Sequence, residues 1–473
     1  MSNHYHLVVI GTGPGGYVAA IRAAQLGLKT AVIEKDELGG TCLNWGCIPT
    51  KAWVVTAHLY EQIKRAKEYG IIVGEPSIDW TALVERKNKI VKQLTGGVKQ
   101  LLTGRQVDIV KGTAKLTSAN KIAIALNAGG TQEITADHII LATGAFAWMP
   151  PGFELDGERV ISSKEALDLK KQPKRIAILG GGVVGSEFAC FFAAIGTQVT
   201  LIELLPRLVM AEDEEISATL EREMKKQKIA LHLGTKVEDR KDNSDGSITL
   251  TLAGGKTVDV DTVLVATGRR PYSEGLGLAS VGLGVEGRGK IVVNDRLQTT
   301  VPNIYAIGDV TDIKQLAHFA SAQGKSAAEL IAGHPAQTNW RAVPAATFTH
   351  PEIASVGMTE SEAKAAGRTV KIGRFPFRAH GRNIADGETT GFVKIVGDAT
   401  TDQVLGVHII GAKASELIHE GSLAIAADLN VRDLAQAIHA HPTVTESIGE
   451  AAEDIEALAI HLLRTEAKPV AAR

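Results

Sequence analysis

Two stretches of the chain repeat one design, and the repeat constrains the fold more than any other feature. In the first, an apolar run Leu7–Ile10 precedes Gly11, Gly13 and Gly16. A helical run Tyr17–Leu26 follows, and a strand Thr30–Ile33 then ends at Glu34. In the second, Arg175–Leu179 precedes Gly180, Gly182 and Gly185. A helix runs to Ala194, and a strand Gln198–Ile202 ends at Glu203. Each stretch reads as a β-α-β unit whose glycine turn opens a helix and whose second strand closes on an acid. Glycine is needed where the turn is tight and a pyrophosphate must approach bare backbone. Free N–H groups and the helix dipole then bind the anion, and the acid suits a ribose diol. One such glycine pattern alone is weak, because glycine turns are common. Strand, spacing and acid together make each a candidate dinucleotide cradle.

Other segments extend this plan. Ile139–Gly144 and Val263–Gly268 are apolar runs that both end in Ala-Thr-Gly, which marks Thr143, Gly144 and Gly268 as closing turns of the nucleotide units. Asn303–Asp309 is a strand ending in Gly-Asp. Alone that is only a turn signal; in this company, Asp309 suits a ribityl hydroxyl of a flavin. From about Val343 the pattern changes. Strands Gly391–Val396 and Val404–Ile410 precede helical runs Ser415–Leu429 and Ser447–Leu463, an α+β arrangement. The tail Lys468–Arg473 is small and polar enough to fray.

A pair of cysteines, Cys42 and Cys47, lies within Gly39–Lys51, shortly after the first glycine turn. A nucleotide cradle and a dithiol thus come from one short segment. Three cysteines in 473 residues are too few for a secreted disulfide scaffold. In a reducing compartment a close pair is catalytic, redox-sensing or metal-binding. A structural disulfide or a zinc half-site competes with redox catalysis. Zinc usually recruits four ligands, often as two cysteine pairs, and the third cysteine, Cys190, falls in a predicted buried helix as a small packed residue. A net charge of −2 and 4% aromatic content favour neither nucleic acid nor an anionic membrane. No run approaches the roughly 20 apolar residues of a membrane span. Met1–His6 has no basic character and Leu7–Ile10 is too short for a signal core. The expected home is the cytoplasm, or an organelle interior after removal of a transit peptide.

Over nearly its full length the chain resembles the flavin-dependent pyridine nucleotide–disulfide oxidoreductases. The resemblance is carried by Gly39–Lys51, Gly180–Ala189, Ala306–Asp309, Phe348–Glu352 and His439–Glu446. The cysteine motif and the His-Pro-Thr segment are the specific parts; the nucleotide motifs are shared by many flavoproteins. It implies an α/β fold with two dinucleotide-binding, Rossmann-like domains, for FAD (1–150, completed by 276–345) and NAD (151–275). A C-terminal α+β dimerisation domain (346–473) follows. It also implies a homodimer in which His441 and Glu446 complete the partner's site.

By the same resemblance Cys42 exchanges with a dithiol substrate and Cys47 lies against the isoalloxazine. A helix N-terminus near Cys42–Lys51 is expected to lower a thiol pKa. His441 is the base, with an unperturbed imidazole pKa of about 6.5, Glu446 orients it, and His439 is the alternative base. Thr443-Val444-Thr445-Glu446 also fits a helix capping box, and both roles of Glu446 can coexist. Lys51, one helical turn after Cys47, is expected near the flavin N5 edge, paired with Glu187. Thr41, Ala114 and Ala317 join the cofactor contacts. Glu203 accepts from the 2′-hydroxyl of NAD and repels the 2′-phosphate of NADP; Arg207 lies four residues on, behind Pro206. The implied substrate is dihydrolipoamide on a lipoylated acyltransferase or a glycine-cleavage carrier protein. Two departures from the family pattern are Trp45, where a small aliphatic residue is commoner, and Thr50 in place of serine.

Overall fold

A computed structural model describes residues 3–463, so Lys468–Arg473 lies outside the described residues. The chain divides into two compact units, Met1–Gln172 with Val265–Thr338, and Pro173–Leu264 with Asn339–Arg473. Among the described residues no helix is long and apolar enough to cross a membrane.

In the first unit a parallel sheet runs in the order Ile304–Ala306, Thr131–Leu141, His4–Ile10, Thr30–Glu34, Asp108–Ser118. Leu7–Ile10 and Thr30–Glu34 are buried at every position, as strands covered on both faces must be. Two strands of this sheet are long enough to take both parallel and antiparallel partners. Asp108–Ser118 leaves its parallel partner after Lys111 and pairs antiparallel with Lys121–Leu126, which in turn pairs with Thr131–Thr135. There, inward and outward residues alternate, and Ala114 and Leu116 point into the core. Helix Pro14–Gln25 begins with proline, whose missing N–H is no loss at a helix start. Its small buried residues Gly15, Ala19, Ala20 and Ala23 let helix Ala317–Ile331 pack closely against it.

The cysteine segment forms two helices, Gly40–Trp45 and Cys47–Lys64, broken at Gly46. The second is anchored by Trp53, which is buried and meets Trp80 edge-on at 5.3 Å. Trp80 opens helix Trp80–Gly104 behind an Asp79 cap and donates its indole N–H to the Leu169 carbonyl at 2.7 Å.

In the second unit a sheet orders Ala230–His232, Gln198–Ile202, Arg175–Leu179 and Thr262–Val265, the first three of them parallel. Helix Val183–Ala194 is apolar on nearly every side and buried, Cys190 included. The C-terminal part is a five-stranded antiparallel sheet, Ala345–Thr347, Ile353–Gly357, Val404–Gly411, Gly391–Asp398, Val370–Pro376, with three helices packed on it. The helix expected over Ser415–Leu429 spans Ala414–Ala426. The one expected over Ser447–Leu463 is shorter, Glu446–Asp454. It stops because the Asp454 carboxylate accepts from the Arg374 N–H at 2.9 Å, the chain reverses at Ala457 with φ +62°, and His461 bonds back to Glu450.

Helix Glu214–Lys226 shows how charge enters this core. Asp213 caps it, Glu214 and Glu215 lie at its positive end, Lys225 and Lys226 at its negative end. Ile216, Leu220 and Met224 form its buried stripe. At its start, Lys394 is 2% exposed and donates to both oxygens of Asp213 at 3.0 Å and to Glu215 at 2.7 Å, with Glu360 at 2.8 Å. Arg374 grips Glu215 with two nitrogens. The hydrogen bond from Arg374 is the main reason that the Glu215 pKa falls to about 2 despite burial. A depressed carboxylate pKa contributes stability that is complete above the ordinary glutamate range and is lost as pH falls through the folded value.

Lys394→Met leaves buried carboxylates short of a partner and is expected to cost about 3–5 kcal/mol. A urea melt at pH 7 checks it. The wild-type melt should be insensitive to Glu215 above about pH 5 and weaken between about pH 4.5 and 2.

Candidate active site

The two glycine turns are built alike to the atom. Gly11 has φ +98° and Gly180 +106°. A Cβ on Gly16 would lie 2.0 Å from the Gly11 carbonyl oxygen, and one on Gly185 would lie 1.9 Å from that of Gly180. No other residue permits helix and turn to approach so closely. The strand-end acids repeat as well. Glu34 Oε2 accepts from the Thr12 N–H at 2.8 Å and its hydroxyl at 2.6 Å; Glu203 Oε2 accepts from the Gly181 N–H at 2.5 Å. Both acids thus brace the residue between the first two glycines. Beside Gly13 and Gly182 a Cβ would meet nothing within 4 Å. Each helix therefore begins on open space with free N–H groups, which fits a dinucleotide pyrophosphate.

Cys42 and Cys47 are half-buried, Cys47 at the first position of helix Cys47–Lys64. The expectation of a lowered thiol pKa fails at Cys42. Its hydrogen bond to Cys47 pushes its pKa up, burial adds to this, and the Lys51 charge opposes it only in part. Two sulfurs this close resist ionising together, because a second anion would sit beside the first. Tyr17 from the first nucleotide helix lies in the same neighbourhood, its pKa raised by burial and by the Cys42 charge.

Arg269 escaped the sequence reading. Its guanidinium donates to Thr41 Oγ1 at 3.3 Å and to the Ala145 carbonyl. Burial lowers its pKa, opposed by Asp309 and Cys47. Asp309, on the turn Gly308–Thr311, has its pKa raised by burial, opposed by Arg269. The signal was present as a basic pair directly after the second Ala-Thr-Gly. Both Ala-Thr-Gly turns belong to this unit and are stitched by the ribbon Ala145–Ala147 and Arg269–Pro271. Thr143 Oγ1 donates to the Tyr272 carbonyl at 2.6 Å, the Tyr272 N–H returns to Gly144 at 2.9 Å, and the Trp148 N–H reaches Gly268 at 3.0 Å. Ala317 opens helix Ala317–Ile331, where its N–H has no partner within the helix. Ala114 is buried in its strand.

The remaining residues lie in the second unit. Glu187 is buried and accepts from the Phe348 N–H at 2.9 Å. His441 is exposed, and its Nδ1 is 2.9 Å from Glu446 Oε1. The other oxygen of Glu446 accepts from the Thr443 N–H at 2.9 Å. Half of the expected capping box is therefore present. The other half is not: the helix starts at Glu446, and the Thr443 hydroxyl donates to the Ala440 carbonyl. Burial alone would raise the Glu446 pKa; the hydrogen bonds of His441 and Thr443 outweigh it and hold the group ionised below the usual range. The pair is thus intact at neutral pH and is lost only as pH falls through that lowered value. His439 is tied to Glu420 at 2.9 Å and mostly buried. A third imidazole not foreseen, buried His380, lies 3.4 Å from Glu446 Oε2 and bonds Asn383 at 3.0 Å.

Cys47→Ala removes the main cause of the high Cys42 pKa. The pH midpoint for alkylation of Cys42 by iodoacetamide should drop relative to the reduced wild-type protein. An unchanged midpoint would show that Cys47 is not what raises the Cys42 pKa.

Comparison with known proteins agrees with this geometry. A family model described as pyridine nucleotide-disulphide oxidoreductase matches residues 5–324, and its dimerisation-domain counterpart matches residues 343–452. The dihydrolipoyl dehydrogenase of Thermus scotoductus is 44% identical over 464 residues, 97% of this chain and 99% of that protein. The mitochondrial dihydrolipoyl dehydrogenase of Homo sapiens is 42% identical over 455 residues, 94% and 89% of the two chains. The crystal structure of LpdA from Mycobacterium tuberculosis superposes with a TM-score of 0.89 at 28% identity, covering 96% of this chain and 100% of that one. The HOCl-induced flavoprotein disulfide reductase RclA from Escherichia coli gives 0.85 at 29% identity, covering 95% and 99%. With a dithiol beside one glycine cradle, a second cradle of the same build and a matching C-terminal sheet, the chain belongs to the pyridine nucleotide-disulphide oxidoreductases.

Proposed function

We propose that the protein is a homodimeric dihydrolipoyl dehydrogenase, oxidising dihydrolipoamide on a lipoylated acyltransferase or glycine-cleavage carrier protein, with FAD and NAD as cofactors. The carrying observation is the hydrogen-bonded Cys42–Cys47 pair in the same unit as the first glycine cradle. Gly11, Gly13, Gly16, Glu34, Thr41, Ala114, Thr143, Gly144, Asp309 and Ala317 would hold FAD, with Lys51 at its reacting edge, paired with Glu187. Gly180, Gly182, Gly185, Glu203 and Gly268 would hold NAD. Residues 1–150 with 276–345 make the FAD part, 151–275 the NAD part and 346–473 the interface. The cytoplasm or an organelle interior is the setting.

The chain's own chemistry is thiol–disulfide exchange. Starting from the Cys42–Cys47 disulfide, one substrate thiolate attacks Cys42 Sγ, and Cys47 leaves as thiolate. His441 of the partner subunit takes the proton of the second substrate thiol. That sulfur attacks the first, closes the cyclic disulfide and releases Cys42, which regains a proton. The electron pair now resides on the cysteines. The ionised Glu446 fixes the orientation of the imidazole. Bound flavin supplies the two-electron relay from dithiol to nicotinamide.

Purified holoprotein should be yellow and give its highest kcat/KM with dihydrolipoamide and NAD in a panel that includes reduced glutathione, thioredoxin and NADP. His441→Gln should lower dithiol-dependent kcat by about 10²–10⁴-fold with flavin content unchanged. Normal turnover in that variant rejects the base assignment, and a higher kcat/KM with NADP rejects the nucleotide assignment.

A further inference from the structure

The stretch from Glu203 to Asp213 is a clamp on the second glycine turn. Glu203 accepts from the Gly181 N–H, and its other oxygen accepts from the Leu205 N–H at 2.7 Å. Six residues on, the Val209 N–H donates to the Gly181 carbonyl at 2.8 Å. Both polar groups of Gly181 are therefore held by this one stretch. Buried Leu208 fills the space beside it, where a Cβ on Gly181 would lie 2.7 Å from Leu208 Cδ2. Val209 achieves its contact at φ +40°, a region a β-branched residue rarely enters. Such backbone strain persists only where the surroundings over-determine it.

Arg207 supplies that constraint. Its guanidinium donates to the Met210 carbonyl at 2.9 Å, the Glu212 carbonyl at 2.7 Å and Ser217 Oγ at 2.9 Å. Ser217 is 1% exposed and its own hydroxyl donates to the Leu208 carbonyl at 2.8 Å. The far end of the stretch is fixed by Asp213 on Lys394. In the fold the donors of Arg207 are turned onto the loop's own acceptors.

We infer that Arg207 is a specificity-determining positioning residue that locks the 203–213 clamp, so that Glu203 stands fixed against a 2′-phosphate. The inference rests on the NAD reading above. Discrimination by repulsion needs an anion that cannot swing aside. A loosened Glu203 both loses its bond to the ribose and lets the larger ligand in. The contacts of Arg207 are with the loop and with Ser217, so it acts through Glu203.

The test uses holoenzyme variants Arg207→Met and Ser217→Ala, assayed with saturating dihydrolipoamide and varied NAD or NADP. Loss of charge-assisted bonds in Arg207→Met should raise KM for NAD about tenfold with kcat little changed, and cut the NAD:NADP ratio of kcat/KM by at least about tenfold. Ser217→Ala should move both quantities the same way by about two- to threefold. Bleaching of the flavin by dihydrolipoamide without nucleotide should match wild type. If Arg207→Met does not fold, Ser217→Ala decides. An unmoved ratio overturns the inference. So does a Ser217→Ala enzyme that gains NADP activity at unchanged KM for NAD, because a freed Arg207 would then be binding the phosphate. Wild-type preference for NADP would instead refute the underlying nucleotide reading, before any variant is compared.

Discussion

A carboxylate pulled beneath the end of a strand to meet a backbone N–H is the contact on which both cradles depend. A glycine-rich turn has no rigidity of its own; it is the loosest backbone in the chain. Glu34 on Thr12 and Glu203 on Gly181 supply what the glycines lack. A hydrogen bond to a charged group contributes about 1.5–3 kcal/mol, enough to hold one loop conformation over its competitors. Because Gly16 and Gly185 press against the first glycine from behind, each turn is fixed from two sides while the space ahead of its helix stays clear. Helix packing, strand order and the placement of the dithiol all follow from that fixed turn.

The cysteine segment uses the opposite strategy, with charge compensation in place of rigidity. Lys51 and Arg269 bring positive charge to a hydrogen-bonded pair of sulfurs. Burial works against the charged forms of Cys42, Arg269 and Asp309, and neighbouring charges oppose it in part. His441 differs: it is exposed in the single chain, and only its Nδ1 side is fixed, by Glu446. An imidazole prepared on one face and open on the other is a group waiting for a second surface, consistent with the dimerisation-domain match over residues 343–452.

Much of this was legible in the residues. Strands Arg175–Leu179 and Gln198–Ile202 could be placed to the residue because period, glycine turn and terminal acid all agree. The C-terminal helix was overextended, since its apolar pattern runs on past Asp454 while the stop lies in a long-range bond to Arg374 and a left-handed Ala457. The raised pKa of Cys42 was missed for a related reason. A helix N-terminus is a local signal, whereas the hydrogen bond to Cys47 and the burial are products of packing. Arg269 carried a local signal, its place directly after the second Ala-Thr-Gly, whereas His380 lay outside any motif and is marked only by its burial beside Glu446.

The buried ammonium of Lys394 carries an evolutionary consequence. It belongs to the C-terminal sheet, yet two of its carboxylate partners, Asp213 and Glu215, come from the nucleotide half of the same unit. The two modules are therefore not freely interchangeable parts. A recombination event that exchanged the sheet between distant relatives, without also carrying the start of helix Glu214–Lys226, would strand a charge in the interior. Lineages are thus expected to inherit this seam as a block, even where the surfaces on either side drift.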